Sequence, residues 1–239
     1  MKIEICGKSY LISNKPESSV NLLTTLFQIK NTQNRTLAFR SGCKSGVCGS
    51  CAVRVNGIEK LACKTTIQDG DIVEPLNNSI ILKDLIVDLN NQDQFLKQAK
   101  AFLSKGSKNT ISKEDEKKID IETNCILCNS CFSSCPVYTV NENFIGPFAL
   151  TRNYRYVEDK KEEEINNKIT SVQKNGVWDC TLCGNCNMVC PSRIDIKGDI
   201  EKLRNKSAQF GYNNPNMGTG FDSGINFGTQ DFGFNPNGF

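Results

Sequence analysis

The N-terminal part of the chain alternates short apolar runs with turn residues, which is the pattern of β-strands. Ile3-Glu4-Ile5 and Tyr10-Leu11-Ile12 predict two strands around a Gly7-Lys8-Ser9 turn. Residues 52–55 and 58–62 predict a hairpin, because the Asn-Gly pair between them is the strongest short turn signal. This region is therefore expected to form a small sheet.

One stretch within this region has helical spacing instead. Ser18 or Ser19 can cap a helix there, whose apolar residues lie on one face. These residues are Leu22, Leu23, Leu26 and Phe27. Asp69-Gly70 predicts a further turn before a strand at Ile72-Val73. The fold class is thus α+β, with a β-grasp domain at residues 1–88.

After residue 88, apolar residues recur at helical spacing. Asn91 to Ser104 is the first such stretch. A helix is predicted to begin at Gly146-Pro147, since proline suits the first helical position, and the next is predicted to stop at Gly176. Ile196 to Leu203 indicates a last amphipathic helix. Residues 89–206 are therefore predicted to be a mostly helical domain.

Three cysteines in the first domain have the C-x4-C-x2-C spacing of plant-type [2Fe–2S] ferredoxins. They are Cys43, Cys48 and Cys51, and Cys63 is the natural fourth ligand. Glycines in this loop allow backbone N–H groups to approach the cluster sulfurs. A zinc-binding loop is the alternative, although zinc sites favour paired C-x2-C units at separate places. Cys6 lies near a strand end and is expected to be an idle or buried thiol.

Two copies of the run C-x2-C-x2-C-x3-C-P follow in the second domain. In this bacterial ferredoxin pattern, three cysteines hold one cubane cluster and the fourth binds the neighbouring cluster. Two runs therefore predict two neighbouring clusters with exchanged fourth ligands, joined by a helical insert, and an electron-carrying role. The runs are Cys125, Cys128, Cys131, Cys135-Pro136 and Cys180, Cys183, Cys186, Cys190-Pro191.

Composition narrows the chemistry further. The chain has 239 residues, 13 cysteines, no histidine and 38% apolar residues, so clusters are expected to support a modest hydrophobic core. The lack of histidine excludes Rieske-type ligation, histidine-ligated haem and a His-based catalytic triad within this chain. Acid–base chemistry on a substrate is expected in another subunit.

The net charge of +3 counts the thiols as neutral. A cluster with four thiolates carries about −2 when oxidised, so three clusters would make the protein slightly acidic, and no nucleic-acid partner is expected. The N-terminus reads as a strand and not as a signal peptide. No apolar run reaches transmembrane length. Cysteines without a secretion signal favour metal ligation over disulfides.

The last 33 residues, 207–239, form a low-complexity tail. They contain seven Gly, six Asn and six Phe. Such a composition predicts disorder in isolation. Two interpretations stay open, a free tail and an arm that lays its Phe side chains on a partner subunit.

Several longer stretches match one known family. The [2Fe–2S] loop reaches its fourth cysteine after eleven residues, and the cubane run follows. Further matching stretches are Arg40 to Cys43, Cys48 to Cys51, Leu61 to Cys63, Lys83 to Asp88, Phe144 to Pro147 and Gly176 to Cys180. Over roughly residues 2–205, the chain resembles the iron–sulfur subunit of succinate dehydrogenase and fumarate reductase.

The resemblance implies a subunit that carries electrons between two partners. One is a flavoprotein subunit, where succinate and fumarate interconvert at FAD, and the other is a membrane-side subunit that handles quinone. The [2Fe–2S] centre is expected on the flavin side. The resemblance assigns a middle [4Fe–4S] cluster to Cys125, Cys128, Cys131 and Cys190, and a distal cluster to Cys135, Cys180 and Cys186.

Two departures from the family pattern matter, one at the distal cluster and one at the quinone pocket. The familiar enzymes have a [3Fe–4S] distal cluster, because the position of Cys183 is not a cysteine. Cys183 completes four ligands here, so a second [4Fe–4S] cluster with a lower potential is expected, and [3Fe–4S] is the alternative if Cys183 does not bind. The family's quinone pocket uses a Trp and a His at two positions, where this chain has Val137-Tyr138-Thr139 and Thr181.

Both departures resemble a branch that pairs with a cysteine-rich, heterodisulfide-reductase-like third subunit instead of haem-bearing anchors. The implied location is peripheral on the cytoplasmic membrane through partners, on the cytoplasmic face by default and on the periplasmic face if a partner carries the signal.

Two alternatives to this function stay open. One is the iron–sulfur subunit of a thiol-linked fumarate reductase or other flavoprotein dehydrogenase, and the other is a free multi-cluster ferredoxin.

Overall fold

The structure is a computed structural model that describes residues 1–12 and 20–215. The predicted tail therefore lies mostly outside the described residues. Within the described residues there are seven β-strands. They are β1 (Lys2–Ile5), β2 (Lys8–Leu11), β3 (Ala52–Val55), β4 (Ile58–Leu61), β5 (Ile72–Glu74), β6 (Ile81–Lys83) and β7 (Ile86–Val87).

Five of these strands form one mixed sheet in the order β2-β1-β5-β3-β4. The central pair is parallel, with Ile5 opposite Val73, and the other neighbours are antiparallel. Asn56 and Gly57 both have positive φ, 53° and 80°, as the tight turn between β3 and β4 requires. The predicted hairpin is therefore confirmed.

The first turn differs from the prediction. Cys6 and Gly7 form it, with φ of 49° and 77°, and Lys8 and Ser9 already belong to β2. The two-residue turn pairs Ile5 with Lys8. Glycine tolerates this backbone without steric cost, which explains why the chain reverses there and not two residues later.

Helix α1 (Leu22–Thr32) packs its apolar face on the sheet. Its N-cap is Asn21, whose side chain accepts hydrogen bonds from the N–H groups of Leu23 and Thr24. The predicted caps Ser18 and Ser19 lie outside the described residues. Asn21 also donates to the carbonyl of Cys63 at 2.7 Å, so the cap ties the helix to the segment that carries this cysteine.

The second half is helical. Its helices within the described residues are α2 (Asn90–Gln98), α3 (Lys113–Lys117), α4 (Asp120–Thr123), α5 (Ser130–Ser133), α6 (Pro147–Val157), α7 (Ile165–Ser171), α8 (Asn185–Val189) and α9 (Ile196–Gln209). Pro147 occupies the first position of α6, which confirms that prediction. Helices α6 and α9 pack together in a core of their own.

Two helix ends were predicted wrongly. Helix α2 stops at Gln98 because Lys100 has a positive φ of 47°, and this leaves Phe102 and Leu103 exposed. Helix α7 ends before Gly176, at Ser171. A Cβ on Gly176 would lie 2.0 Å from the carbonyl oxygen of Val172. Gly176 thus permits a close backbone approach and does not cap the helix.

Polar contacts join the sheet domain to the helical half. The side chain of Asn78 donates to three carbonyl groups at the C-terminal end of α5, those of Phe132, Ser133 and Cys135, at 2.9, 3.1 and 3.2 Å. The Ser133 hydroxyl donates to the buried carboxylate of Glu59 at 2.6 Å. These contacts fix the segment before Cys135 against the sheet. Among the described helices, none has both the length and the apolar character to cross a membrane.

Candidate metal centres

The first cysteine loop presents two thiols outward and two inward. Cys43 and Cys48 are exposed, whereas Cys51 and Cys63 are buried at the edge of the first core. The N–H groups of Ser45 and Val47 each donate to Cys43 Sγ at 3.3 Å. Hydrogen bonds to a sulfur stabilise its negative form. The loop therefore favours a thiolate at its exposed side.

The two sides of this loop have different acidities. Hydrogen bonds from Ser45 and then Val47 lower the pKa of Cys43 to about 5. Burial raises the pKa of Cys51 to about 11, since charge is unfavourable away from water. A bound metal deprotonates a coordinating thiol outright, so the high pKa of Cys51 reflects burial and is compatible with ligation.

The two cubane runs repeat one backbone conformation. Leu127 and Leu182 have φ of 51° and 54° at the same place in each run, although leucine rarely adopts such values. The residues after the second cysteines, Asn129 and Gly184, are both left-handed, with φ of 63° and 83°. A short helix follows in each case, α5 and α8. Cys183 thus stands in its loop as Cys128 stands in the other.

An arginine supports the first cysteine of each run. Arg152 on α6 donates to the carbonyl of Cys125 at 3.5 Å, and Arg204 on α9 donates to the carbonyl of Cys180. Arg204 also donates to the carbonyl of Val177 at 2.7 Å. The repeat therefore extends from the loops to the helices behind them.

Four thiols from both runs line one cavity. The other walls of this cavity are largely apolar and include Leu127, Phe148 and Ile194. Burial raises the pKa of the three thiols from the first run, and their mutual charge interactions raise it further. The four thiols are those of Cys125, Cys128, Cys131 and Cys190.

A second group of thiols also combines the two runs, with one thiol from the first run and three from the second. Burial raises the pKa of Cys186 to about 12, and the nearby thiols of Cys180, Cys183 and Cys135 add to this rise. The pKa of Cys135 is about 11 for the same reasons, burial first and then Cys180 and Cys183. Cys183 is the exposed member of this group. Its thiol lies close enough to Cys135 and Cys186 to raise the pKa of both.

These groups fit iron–sulfur clusters. Each iron of a cubane takes one thiolate, and each group supplies four thiols, in one case around an apolar cavity. Within residues 1–12 and 20–215, no three side chains of His, Cys, Asp or Glu converge as they would around a single metal ion. Bound clusters would supply one-electron carriers at these places.

The positions of the family's Trp and His have other surroundings here. Val137 is buried, and Tyr138 packs against Phe132 with ring centroids 4.2 Å apart. Burial raises the pKa of Tyr138 above its usual range, and its hydroxyl has no hydrogen-bond partner among the described residues. Thr181 is exposed. Tyr138 is thus part of the core beside Cys135.

Sequence reasoning missed the polar residues that hold the cysteine loops. Asn78, Glu59 and Ser133 meet only through the tertiary fold, so no spacing along the chain indicates them. Arg152 and Arg204 also contact the cysteine loops only in the folded chain. The identical cysteine spacing of the two runs is the signal that could have indicated an equivalent residue behind each.

Comparison with known domains divides the chain into two regions. Residues 3–94 match the model of the 2Fe-2S iron-sulfur cluster binding domain. Residues 122–194 match the model of the 4Fe-4S dicluster domain. The chain therefore has a 2Fe-2S ferredoxin domain followed by a 4Fe-4S dicluster domain, in a mixed α/β fold.

Two relatives illustrate the range of similarity. The chain is 33% identical to the "Fumarate reductase iron-sulfur subunit" of Escherichia coli O6:H1 over 228 residues, which cover 87% of this chain and 93% of the relative. It is 35% identical to a subunit of the "Fumarate reductase (CoM/CoB)" of Methanothermobacter marburgensis over 200 residues, 82% of this chain and 40% of the relative. The chain thus spans less than half of the second relative.

A solved structure has the same fold. The "Mycobacterium smegmatis Sdh1 complex in the apo form" contains a chain that superposes with a TM-score of 0.79. The match covers 89% of this chain and 97% of that chain, at 22% identity. At this identity the likeness concerns the fold alone.

Proposed function

Because the chain belongs to the family of iron–sulfur subunits of fumarate reductase and succinate dehydrogenase, we propose that it is the electron-transfer subunit of such an oxidoreductase. It carries electrons between a FAD flavoprotein subunit and a membrane-side, quinone-reactive subunit. The substrate chemistry lies in the flavoprotein. The observation that carries this proposal is the presence of three thiol groups, two of which have exposed members, Cys43 and Cys48 in one and Cys183 in the other.

The proposed ligand sets follow the three groups. One [2Fe–2S] cluster and two [4Fe–4S] clusters are held, the distal one being [3Fe–4S] if Cys183 does not bind. The [2Fe–2S] ligands are Cys43, Cys48, Cys51 and Cys63; the middle ligands are Cys125, Cys128, Cys131 and Cys190; the distal ligands are Cys135, Cys180, Cys183 and Cys186.

The repeated backbone supports four ligands at the distal site. Cys183 follows Leu182 as Cys128 follows Leu127, with the same left-handed conformation before it. A thiol in this position belongs to the ligand pattern of the first run. Cys183 is exposed, and the acceptor subunit is proposed to dock at this surface.

The finer domain description is also a proposal. Residues 1–88 form a β-grasp domain, and residues 89–206 form a two-cluster helical domain with α6 and α7 as an insert between the runs. The mixed five-stranded sheet crossed by α1 supports the first assignment. Residues 207–239 form the proposed tail, although α9 continues to Gln209.

Partners and location follow from the family. The flavoprotein is expected at the exposed [2Fe–2S] loop, and a membrane-associated subunit at the distal side holds the protein on the cytoplasmic membrane, with the cytoplasmic face as default. Cys183 supports a heterodisulfide-reductase-like third subunit. The similarity to a relative named for CoM and CoB favours a thiol-linked fumarate reductase as the second candidate.

The test is purification of the tagged chain from its own cells under anaerobic conditions. A flavoprotein should co-purify, and the chain should hold about ten irons, two in the [2Fe–2S] cluster and four in each cubane. Reduction of the clusters by succinate, read by EPR, would support the proposal. A chain that purifies alone with three clusters would be a free ferredoxin, and a colourless chain with stoichiometric zinc would refute cluster binding.

A further inference from the structure

One direct contact between the two domains lies at a glycine of the first cysteine loop. Gly49 lies between Cys48 and Cys51, with φ of +70°. A Cβ at this position would lie 2.8 Å from the carbonyl oxygen of Ile126 and 2.9 Å from Cα and Cβ of Cys128. Real Cβ atoms do not approach backbone so closely. The loop of one proposed cluster therefore rests against a proposed ligand of the next, without room for a methyl group.

The opposing loop cannot yield easily. Leu127 already holds a positive φ of 51°, and the side chain of Gln92 donates to its carbonyl at 2.9 Å and to Asn129 Oδ1 at 3.2 Å. The contacted atoms of Cys128 belong to a residue held by its place in the thiol group. An added methyl group would therefore displace one loop relative to the other, because backbone cannot rotate away as a flexible side chain can.

A pocket surrounds this contact. It is lined by residues of both domains, among them Phe39, Leu89 and Gln92. The interface also has polar contacts farther away, such as those of Asn78 with the C-terminal end of α5. Gly49 differs from them because it lies within one ligand loop and contacts the backbone of the other.

We propose that Gly49 is a positioning residue that sets the distance between the [2Fe–2S] site and the first [4Fe–4S] site. The inference rests on the proposed function, since it concerns electron transfer between these two sites. Transfer by tunnelling slows steeply as the separation of two centres grows. A residue that lets two ligand loops meet at backbone distance therefore keeps transfer fast without binding either cluster.

The test compares Gly49→Ala with Gly70→Ala. Both glycines have positive φ, +70° and +85°, but nothing lies within 4 Å of a Cβ on Gly70. The two variants thus share the backbone strain and differ in the contact. In the reconstituted holoprotein, Gly49→Ala should weaken the magnetic interaction between the two reduced centres and slow electron transfer between them severalfold. Iron content and the potential of each centre should stay unchanged, and Gly70→Ala should match the wild type.

Three results would decide against the inference. These are an unchanged interaction in Gly49→Ala, an equal loss in Gly70→Ala, and a loss explained by altered potentials. If Gly49→Ala does not assemble, the wild-type holoprotein decides: a measurable magnetic interaction between the two reduced centres supports ligand loops that meet at backbone distance, and its absence overturns the inference. A wild-type protein without transfer between the centres would overturn the proposed function, and the inference with it.

Discussion

The two cubane loops have one backbone and two different surroundings. Leu127 and Leu182 share a left-handed conformation, and an arginine supports the first cysteine of each run. Yet Cys128 packs against Gly49 of the first domain, while Cys183 is exposed. The local sequence thus determines the shape of a ligand loop, and the tertiary contacts determine its access to solvent and partners.

This difference has a chemical consequence. A ligand buried in an apolar cavity has no water to replace it, and removing it leaves a charged centre uncompensated. An exposed ligand can be lost while the rest of the site stays folded. The distal site is therefore expected to tolerate change that the middle site does not, although both loops follow the same pattern.

The largest effect is expected from removing the equivalent cysteines. Cys128→Ala should lose the middle cluster and greatly lower the yield of folded protein, because this thiol group lies in a largely apolar cavity of the helical half. Cys183→Ala should give folded protein with one iron fewer and an oxidised [3Fe–4S] EPR signal. Iron analysis and EPR of anaerobically purified protein measure both outcomes.

Cys6→Ala is the control for both variants, since Cys6 lies in an exposed turn away from the three groups. It should leave iron content and EPR unchanged. Equal behaviour of Cys128→Ala and Cys183→Ala would mean that burial does not distinguish the sites. A wild-type protein that already shows a full [3Fe–4S] signal after iron reconstitution would exclude Cys183 as a ligand.

The insert between the runs contains a buried ion pair, and breaking it is the next largest change. Lys168 on α7 is fully buried, 2.9 Å from the Glu162 carboxylate, and donates to the carbonyl of Lys100 at 2.9 Å. Lys168→Met should lower the free energy of unfolding by about 3–5 kcal/mol, because it leaves a buried carboxylate without its cation. Anaerobic urea denaturation of the holoprotein measures this loss.

An exposed pair beside it provides the control. Lys105 and Glu163 are 2.8 Å apart with exposed side chains, and such pairs contribute at most about 1 kcal/mol. Lys105→Met should therefore change the midpoint little. Both variants should keep all clusters at low temperature. If Lys168→Met lost the distal cluster alone, the insert would be shown to hold the second loop in place.

The predictable parts of the fold are those with local causes. The hairpin turn at Asn56-Gly57 needs two residues with positive φ, and proline at the first position favours the start of helix α6. Both signals lie within a few residues of the element that they predict. The family could be identified because its motifs are long and contiguous. The thiols of each predicted set lie together in the fold, and their role as ligands stays a prediction.

The parts that failed depend on backbone conformations and tertiary contacts that have no clear signal in the local sequence. The end of α2 could not be read from Phe102 and Leu103, whose spacing continues the helix although Lys100 breaks it. Gly176 looked like a helix cap, but its function is to let the chain pass the carbonyl of Val172. Asn78 is an ordinary loop residue in sequence and meets α5 only in the folded chain.

A smaller effect concerns the pH dependence of stability near the middle thiol group, which comprises Cys125, Cys128, Cys131 and Cys190. Asp199 on α9 is buried and accepts a hydrogen bond from Thr151, which lines the cavity of that group. Burial raises the pKa of Asp199 from 3.8 to about 7, and nearby Glu122 adds to this rise. The folded chain thus holds this proton more tightly than the unfolded chain, so stability falls as pH rises from 3.8 to about 7.

Asp199→Asn should flatten this dependence, because the amide does not titrate and can still accept from Thr151. Melting temperatures of the anaerobic holoprotein between about pH 5.5 and 7.5 measure it. Asp115→Asn is the control: hydrogen bonds from Ser112 lower the pKa of that exposed carboxyl, so its titration lies below this range. A wild-type slope that survives in Asp199→Asn would assign the dependence to another group.

The smallest effect tests whether the two loops are interchangeable after the second cysteine. Asn129 and Gly184 have the same left-handed backbone, which asparagine tolerates better than most residues. A Cβ on Gly184 would meet only Lys197 Cδ, at 3.9 Å, so Gly184→Asn should change stability by less than about 1 kcal/mol. Asn129→Gly should cost about 1 kcal/mol or more, because the buried Asn129 side chain accepts from Gln92.

Thermal denaturation with intact clusters measures the stability of both variants. Gly184→Val, which is strained by its β-branch at this φ, sets the upper limit for the exposed loop. If both exchanges cost the same, the similarity of the loops would extend from backbone to surroundings, contrary to the contacts around Asn129.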